Sequence, residues 1–165
     1  SPGSERLKLH QLKAVDEAIA KAVDVRSHAD ELQARLLKVR ILAAMKRERE
    51  ARAELAVVKQ GLVRYASVPL RLRLAETSLL LGGAQSTADY REARILLARL
   101  PAYGHAFMIH QLGARAAQAS SDSGREAQSL AREAFEALLK QTPEARYTTL
   151  RSWAKSMGYE EAPTP

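Results

Sequence analysis

The chain has 165 residues, no cysteine and a formal net charge of +7 at neutral pH. These values exclude disulfide stapling and thiolate chemistry, and the 46% hydrophobic and 27% charged content argues against global disorder. Aromatic residues make up only 5%, and the apolar content is mostly Ala and Leu, which favour helices. We therefore predict an all-α protein whose positive charge favours acidic or anionic partners.

The first predicted helix is amphipathic, with Ser4 as its expected N-cap. Its apolar residues recur at intervals of three and four positions: Leu9, Leu12, Val15, Ile19 and Val23. We interpret residues 1–4 as a tail or a cloning remnant. Residues 5–26 are predicted to form a helix that packs on the helices that follow.

The second predicted helix begins near His28 and carries two apolar faces. One face holds Leu32, Leu36, Val39 and Ala43, and the nearly opposite face holds Leu37, Ile41 and Ala44. A helix that is apolar on two sides has to pack between two neighbours. This pattern is typical of an internal helix in a stacked array.

An Arg-Glu-Ala triplet recurs along the chain at residues 49–51, 91–93 and 125–127, with a Glu-Glu-Ala variant at 160–162. Successive alanines are 42, 34 and 35 residues apart, which lies in the range of stacked helical repeats. Each of the first three triplets opens an apolar helical stretch. We predict that the alanines lie where two helices approach closely, with Arg and Glu facing solvent.

Turn-forming residues predict the other helix boundaries. Breaks are expected at 46–50, Ser67, 82–89, 101–104, 120–124, Pro143 and Gly158. Ser67 is expected to cap the fourth helix, because Pro69 then falls in a first turn where its missing N–H costs little. Gly82-Gly83 stops that helix, and Tyr90 is expected to start the fifth. The result is about seven to eight helices, followed by a tail at 163–165.

The C-terminal part of the chain resembles the tetratricopeptide repeat (TPR) family, whose unit is a helix pair of about 34 residues. The residues that carry the resemblance are Ala131-x3-Phe135, Pro143, Tyr147-x2-Leu150, Ala154 and Gly158. It implies a right-handed array of antiparallel helix pairs, a TPR-like α-solenoid, over residues 27–162. The 42-residue step is also similar to armadillo-like or HEAT-like arrays of about 40–47 residues, and this alternative stays open.

The resemblance implies a function as well as a fold. Both repeat classes present grooves to peptides and protein partners, so we expect a non-enzymatic scaffold or adaptor module that binds a protein or peptide, with acidic partners favoured by the charge. The candidate partner-binding residues lie on the first helices of the pairs: Arg40, Arg71, His110 and Arg115. Because the chain begins with Ser1, we expect it to be part of a longer protein.

The basic residues favour one alternative function, a nucleic-acid-binding or transcription-regulatory domain. Seven of them cluster in sequence: Arg35, Lys38, Arg40, Lys46, Arg47, Arg49 and Arg52. Glu48, Glu50 and Glu54 are interspersed and can pair with them at helical spacing, so a solvated face of mixed charge is the preferred interpretation. An acidic-peptide groove comes next, and nucleic acid last, because only Tyr65 could stack on a base there.

No constellation in the sequence predicts catalysis, a metal site or a cofactor. The four histidines have no i, i+4 pair that would align two imidazoles on one helix face. Tyr147 and Trp153 are interpreted as core residues because they share a helical stripe. No apolar stretch approaches the roughly 20 residues that span a bilayer, so a soluble and cytoplasmic protein is expected, of undetermined oligomeric state.

Overall fold

The computed structural model describes residues 2–117, 122–140 and 143–156. These ranges contain eight α-helices and no strand, which confirms the predicted all-α class and number of helices. The helices are α1 Pro2–Asp24, α2 His28–Ala44, α3 Glu48–Arg64, α4 Val68–Leu81, α5 Ser86–Arg99, α6 Ala106–Ala117, α7 Asp122–Leu139 and α8 Pro143–Ser156. The triplet at 160–162, the stop at Gly158, the tail at 163–165 and the Trp153 side chain lie outside the described part.

The chain divides into two compact units, Ser1–Leu81 and Gly82–Pro165. The boundary falls at the predicted glycine stop, where Gly82 and Gly83 have positive φ angles of 75° and 115°. A side chain is strained in this left-handed region, so glycine ends α4 here with least cost. The predicted division into an N-terminal helix (5–26) and a repeat region (27–162) stays a prediction.

Helix α2 is the centre of the first unit, because it contacts α1, α3 and α4. Its core side packs in a cluster of Leu32, Leu36, Val58, Leu62 and Leu70. The prediction that α2 lies between neighbours is confirmed. The predicted second apolar face is wrong except at Ile41, which is buried, because Leu37 is 49% exposed and Ala44 is also exposed.

Helix α1 uses the middle of its apolar stripe, since Val15 and Ile19 are buried while Leu9 and Val23 are more than half exposed. Ser4, the expected N-cap, lies inside this helix, which begins at Pro2. Proline is favoured at a first helical position because the N–H it lacks would have no partner there. By contrast, the cap predicted at Ser67 is confirmed, since its Oγ accepts a hydrogen bond of 3.2 Å from the Leu70 backbone N–H.

The triplet alanines Ala51, Ala93 and Ala127 are each 0% exposed, whereas the Arg and Glu of each triplet are exposed. The prediction of buried alanines with charged residues facing solvent is therefore confirmed in all three, and the close approach of two helices at each alanine stays a prediction. The predicted start of the fifth helix at Tyr90 is wrong, because α5 begins at Ser86. Small polar residues there form the first turn, with the Asp89 N–H bonded to the Gln85 carbonyl at 2.9 Å.

None of the described helices combines the length and the apolar character that crossing a bilayer requires.

Candidate partner-binding groove on helices α6 and α7

A groove of about 620 Å³ opens between α6 and α7 in the second unit. Its lining is Phe107, Gln111, Ala114 and Arg115 on α6 with Gln128, Ala131, Arg132 and Phe135 on α7. We call this the α6–α7 groove. Of the residues singled out as partner-binding from sequence, it contains Arg115.

Helical periodicity explains why these residues share one surface. On each helix the lining positions are three, four, seven or eight residues apart, apart from one adjacent pair, so they form a single broad stripe per helix. The core side of α6 is a different stripe, with Met108, Ile109 and Leu112 buried. The small side chains of Ala114 and Ala131 leave room between the helices, which gives the groove its volume.

The apolar part of the groove is a pair of phenylalanine rings. Phe107 and Phe135 have ring centroids 5.3 Å apart with planes tilted by 40°, a separation at which aromatic rings attract each other. Phe135 is 38% exposed, so its ring is available on the groove surface. These are the chain's two phenylalanines, and both line the same groove.

The polar part of the groove is positively charged. Arg115 and Arg132 are exposed, and none of the lining residues that the structure describes is acidic. Within the described ranges, neither guanidinium forms a hydrogen bond or ion pair with another residue. Both are therefore available to a carboxylate, which a guanidinium binds through two parallel hydrogen bonds.

His110, the other candidate on α6, faces α5 instead of the groove. Its Nδ1 lies 2.9 Å from the Tyr90 hydroxyl, and the two rings meet edge to face with centroids 5.9 Å apart. Burial lowers the pKa of His110, and the positive charge of Arg94 lowers it further. Burial also raises the pKa of Tyr90. This arrangement favours a neutral imidazole that holds α5 and α6 together.

The remaining two candidates, Arg40 and Arg71, lie in the first unit, whereas the α6–α7 groove belongs to the second. Arg40 donates from its guanidinium to Glu76 Oε1 at 3.3 Å, and the Glu76 side chain is 0% exposed. Arg71 lies in the first turn of α4 and is partly buried. The structure thus gives Arg40 a partner within the chain, and the binding role of all four candidates stays a prediction.

The basic cluster in sequence is largely neutralised by carboxylates. Its ion pairs are Arg35–Glu31, Arg35–Glu54, Lys38–Asp16, Arg40–Glu76, Arg47–Glu50 and Arg52–Glu48. All three glutamates that were predicted to pair do so, which supports the interpretation of a mixed-charge face. Three of these pairs join different helices: Lys38–Asp16 at 2.8 Å, Arg35–Glu54 at 2.6 Å and Arg40–Glu76 at 3.3 Å.

Sequence reasoning missed most of the groove. Phe107, Gln111 and Arg132 were not singled out, and Phe135 entered only as part of the repeat resemblance. One available signal was helical spacing, since Phe135 lies three residues from Arg132 and Phe107 lies eight residues from Arg115. Residues at these spacings share a helix face.

In the part of the chain that the structure describes, no group of three His, Asp or Glu side chains is placed to hold a metal ion. Comparison with protein-family models, with curated proteins and with solved structures finds no match to this chain.

Proposed function

We propose that this chain is a non-enzymatic protein-interaction module that binds a peptide or partner domain in the α6–α7 groove. The observation that carries the proposal is the aromatic pair of half-buried Phe107 and exposed Phe135 beside Arg115 and Arg132. Aromatic and arginine side chains dominate the binding energy of protein interfaces, because they combine a large apolar contact area with directional hydrogen bonding.

The proposed scaffold is a TPR-like array of antiparallel helix pairs. Its support is the burial of Ala51, Ala93 and Ala127, each 0% exposed, at steps of 42 and 34 residues along the chain. Small residues at a repeated position let neighbouring helices approach closely, as a stacked array needs. In such an array the partner binds the concave surface, and the α6–α7 groove is its proposed binding position.

The groove offers recognition chemistry: two apolar rings, the amides of Gln111 and Gln128, and two guanidinium groups. A nucleic-acid partner is not favoured, because the basic cluster on α2 and α3 is mostly bound to carboxylates. Charges that are already paired release fewer counterions from a phosphate backbone, which is the main source of such affinity.

Site-specific photocrosslinking tests this proposal. A photoreactive phenylalanine analogue is placed at Phe135, in the groove, and for comparison at Val63, which is 81% exposed on α3. We expect a discrete protein adduct from position 135 and none of that mass from position 63. Adducts that contain only nucleic acid, or equal yields of the same adduct at both positions, would contradict the proposal.

A further inference from the structure

We infer that the segment bound in the α6–α7 groove is an acidic peptide with one aromatic or large aliphatic side chain. The apolar side chain seats on Phe107 and Phe135, and carboxylates bind Arg132 and Arg115. This inference rests on the proposed function and deepens it, because it states the chemistry of the partner.

The apolar end of the groove selects the first feature of the ligand. Phe107 and Phe135 present two tilted rings with centroids 5.3 Å apart, one of them 38% exposed. An aromatic or branched aliphatic side chain covers both rings and removes their apolar surface from water. A small side chain there would leave the ring surface exposed to water, and a charged side chain would lose its own hydration.

The charged part selects the second feature. Arg115 and Arg132 have no acidic neighbour in the groove lining and no ion pair within the described ranges. The two charged side chains among the described lining residues are therefore both positive. A basic segment would place like charges against both guanidinium groups. Charge complementarity therefore assigns an acidic ligand.

The spacing of the groups sets the ligand's pattern. Arg132 precedes Phe135 by three residues, about 4.5 Å along the helix axis, and Arg115 follows Phe107 by eight, about 12 Å. Arg132 is thus nearer to its phenylalanine along the helix axis than Arg115 is to the other. A ligand that engages both arginines therefore carries one acidic residue close to the apolar side chain and a second one farther along the peptide.

Selection from an unbiased library of displayed 12-residue peptides tests the inference. The bait is the purified full chain, and enriched peptides are synthesised and measured by fluorescence anisotropy. The test variant is Arg115→Glu/Arg132→Glu. The control is Arg91→Glu/Arg99→Glu, which changes the net charge equally at exposed positions on α5 outside this groove. All four arginines are exposed, and circular dichroism melting checks that both variants fold.

For the wild type we expect enriched peptides with one large apolar residue, one acidic residue close to it and a second acidic residue farther along the peptide. The groove variant should bind them at least about tenfold more weakly and should enrich basic peptides, while the control changes affinity little. Phe135→Ala should weaken binding of the same peptides without reversing the charge preference.

Three different results would overturn the inference. If peptides are enriched but the groove and control variants behave alike, binding occurs elsewhere, and the inference fails while an interaction module remains. If no peptide is enriched and the crosslinking at Phe135 also yields no protein, the proposed function fails with it. Enrichment of peptides without acidic residues, lost in the groove variant, would contradict only the assigned chemistry.

Discussion

The two units use their arginines differently. In the first unit, Arg35 and Arg40 bond to carboxylates on other helices, and one of these, Glu76, is completely buried. In the second unit, Arg115 and Arg132 line a groove with two phenylalanine rings and, among the described lining residues, no acidic side chain. The sequence is most basic in the first unit, yet the arginines that line this groove lie in the second.

A high local density of basic residues in the sequence therefore does not locate a binding surface. A guanidinium bonded to a carboxylate of its own chain has part of its hydrogen-bonding capacity in use and its charge compensated. What marks a surface for a partner is positive charge without an internal partner next to exposed apolar area. Three predictions test this contrast, beginning with the variant that should change stability most.

Arg40→Met is expected to destabilise the protein by about 2–3 kcal/mol, because it removes the Arg40–Glu76 pair and leaves the carboxylate buried. Since 28% of the Arg40 side chain is exposed, we place the loss below the full range for buried pairs. Urea unfolding at neutral pH measures the loss. Arg49→Met, at an exposed site on α3, is the control and should change stability by less than about 0.5 kcal/mol. Equal losses in the two variants would contradict a stabilising role of the Arg40–Glu76 pair.

Substitution of one helical glycine in each unit by alanine tests how tightly the surrounding helices are packed. An added methyl at Gly113 would overlap the ring of Tyr90, which is buried and bonded to His110. At Gly61 it would approach only the end of the Leu32 side chain, at 2.7 Å, and that methyl can rotate away. We expect Gly113→Ala to cost about 1–2 kcal/mol even after the roughly 1 kcal/mol gain in helix propensity. Gly61→Ala should stay within about 1 kcal/mol of neutral.

Thermal and urea unfolding of both variants measure this difference. A stabilised Gly113→Ala protein would mean that the Tyr90 ring is free to move, and that α5 and α6 are held less firmly than their contacts indicate.

The smallest expected effect is a pH dependence at His110. Its pKa is lowered in the folded state by burial and then by Arg94, so below about pH 6.5 the unfolded chain binds more protons than the folded one. Stability is therefore greatest above that pH and decreases as pH falls toward the lowered folded pKa. His110→Gln should reduce this decrease between about pH 7 and 5, measured by urea unfolding. The control is His10→Gln, on the exposed side of α1. An equal change in the two variants would contradict the assignment.

Much of the fold followed from local patterns. Ser67 caps α4, Gly82 and Gly83 end it, and the recurring alanines are buried, because each depends on the conformational preference or size of a few adjacent residues. The start of α5 was misplaced because small polar residues are compatible with both a loop and a first helical turn. Leu37 was assigned to a buried face, but periodicity does not tell which apolar positions a neighbouring helix covers.

Local sequence patterns sufficed to establish that the chain is helical, where most helices end, and which small residues are buried. Only the tertiary structure decided which charges are neutralised and where apolar surface stays exposed. Arg40 and Glu76 are 36 residues apart, and Phe107 and Phe135 lie on different helices. Such contacts depend on how helices are placed against each other, which helical periodicity does not specify. For that reason the α6–α7 groove, with Arg115 as its one predicted member, could be recognised only in the folded chain.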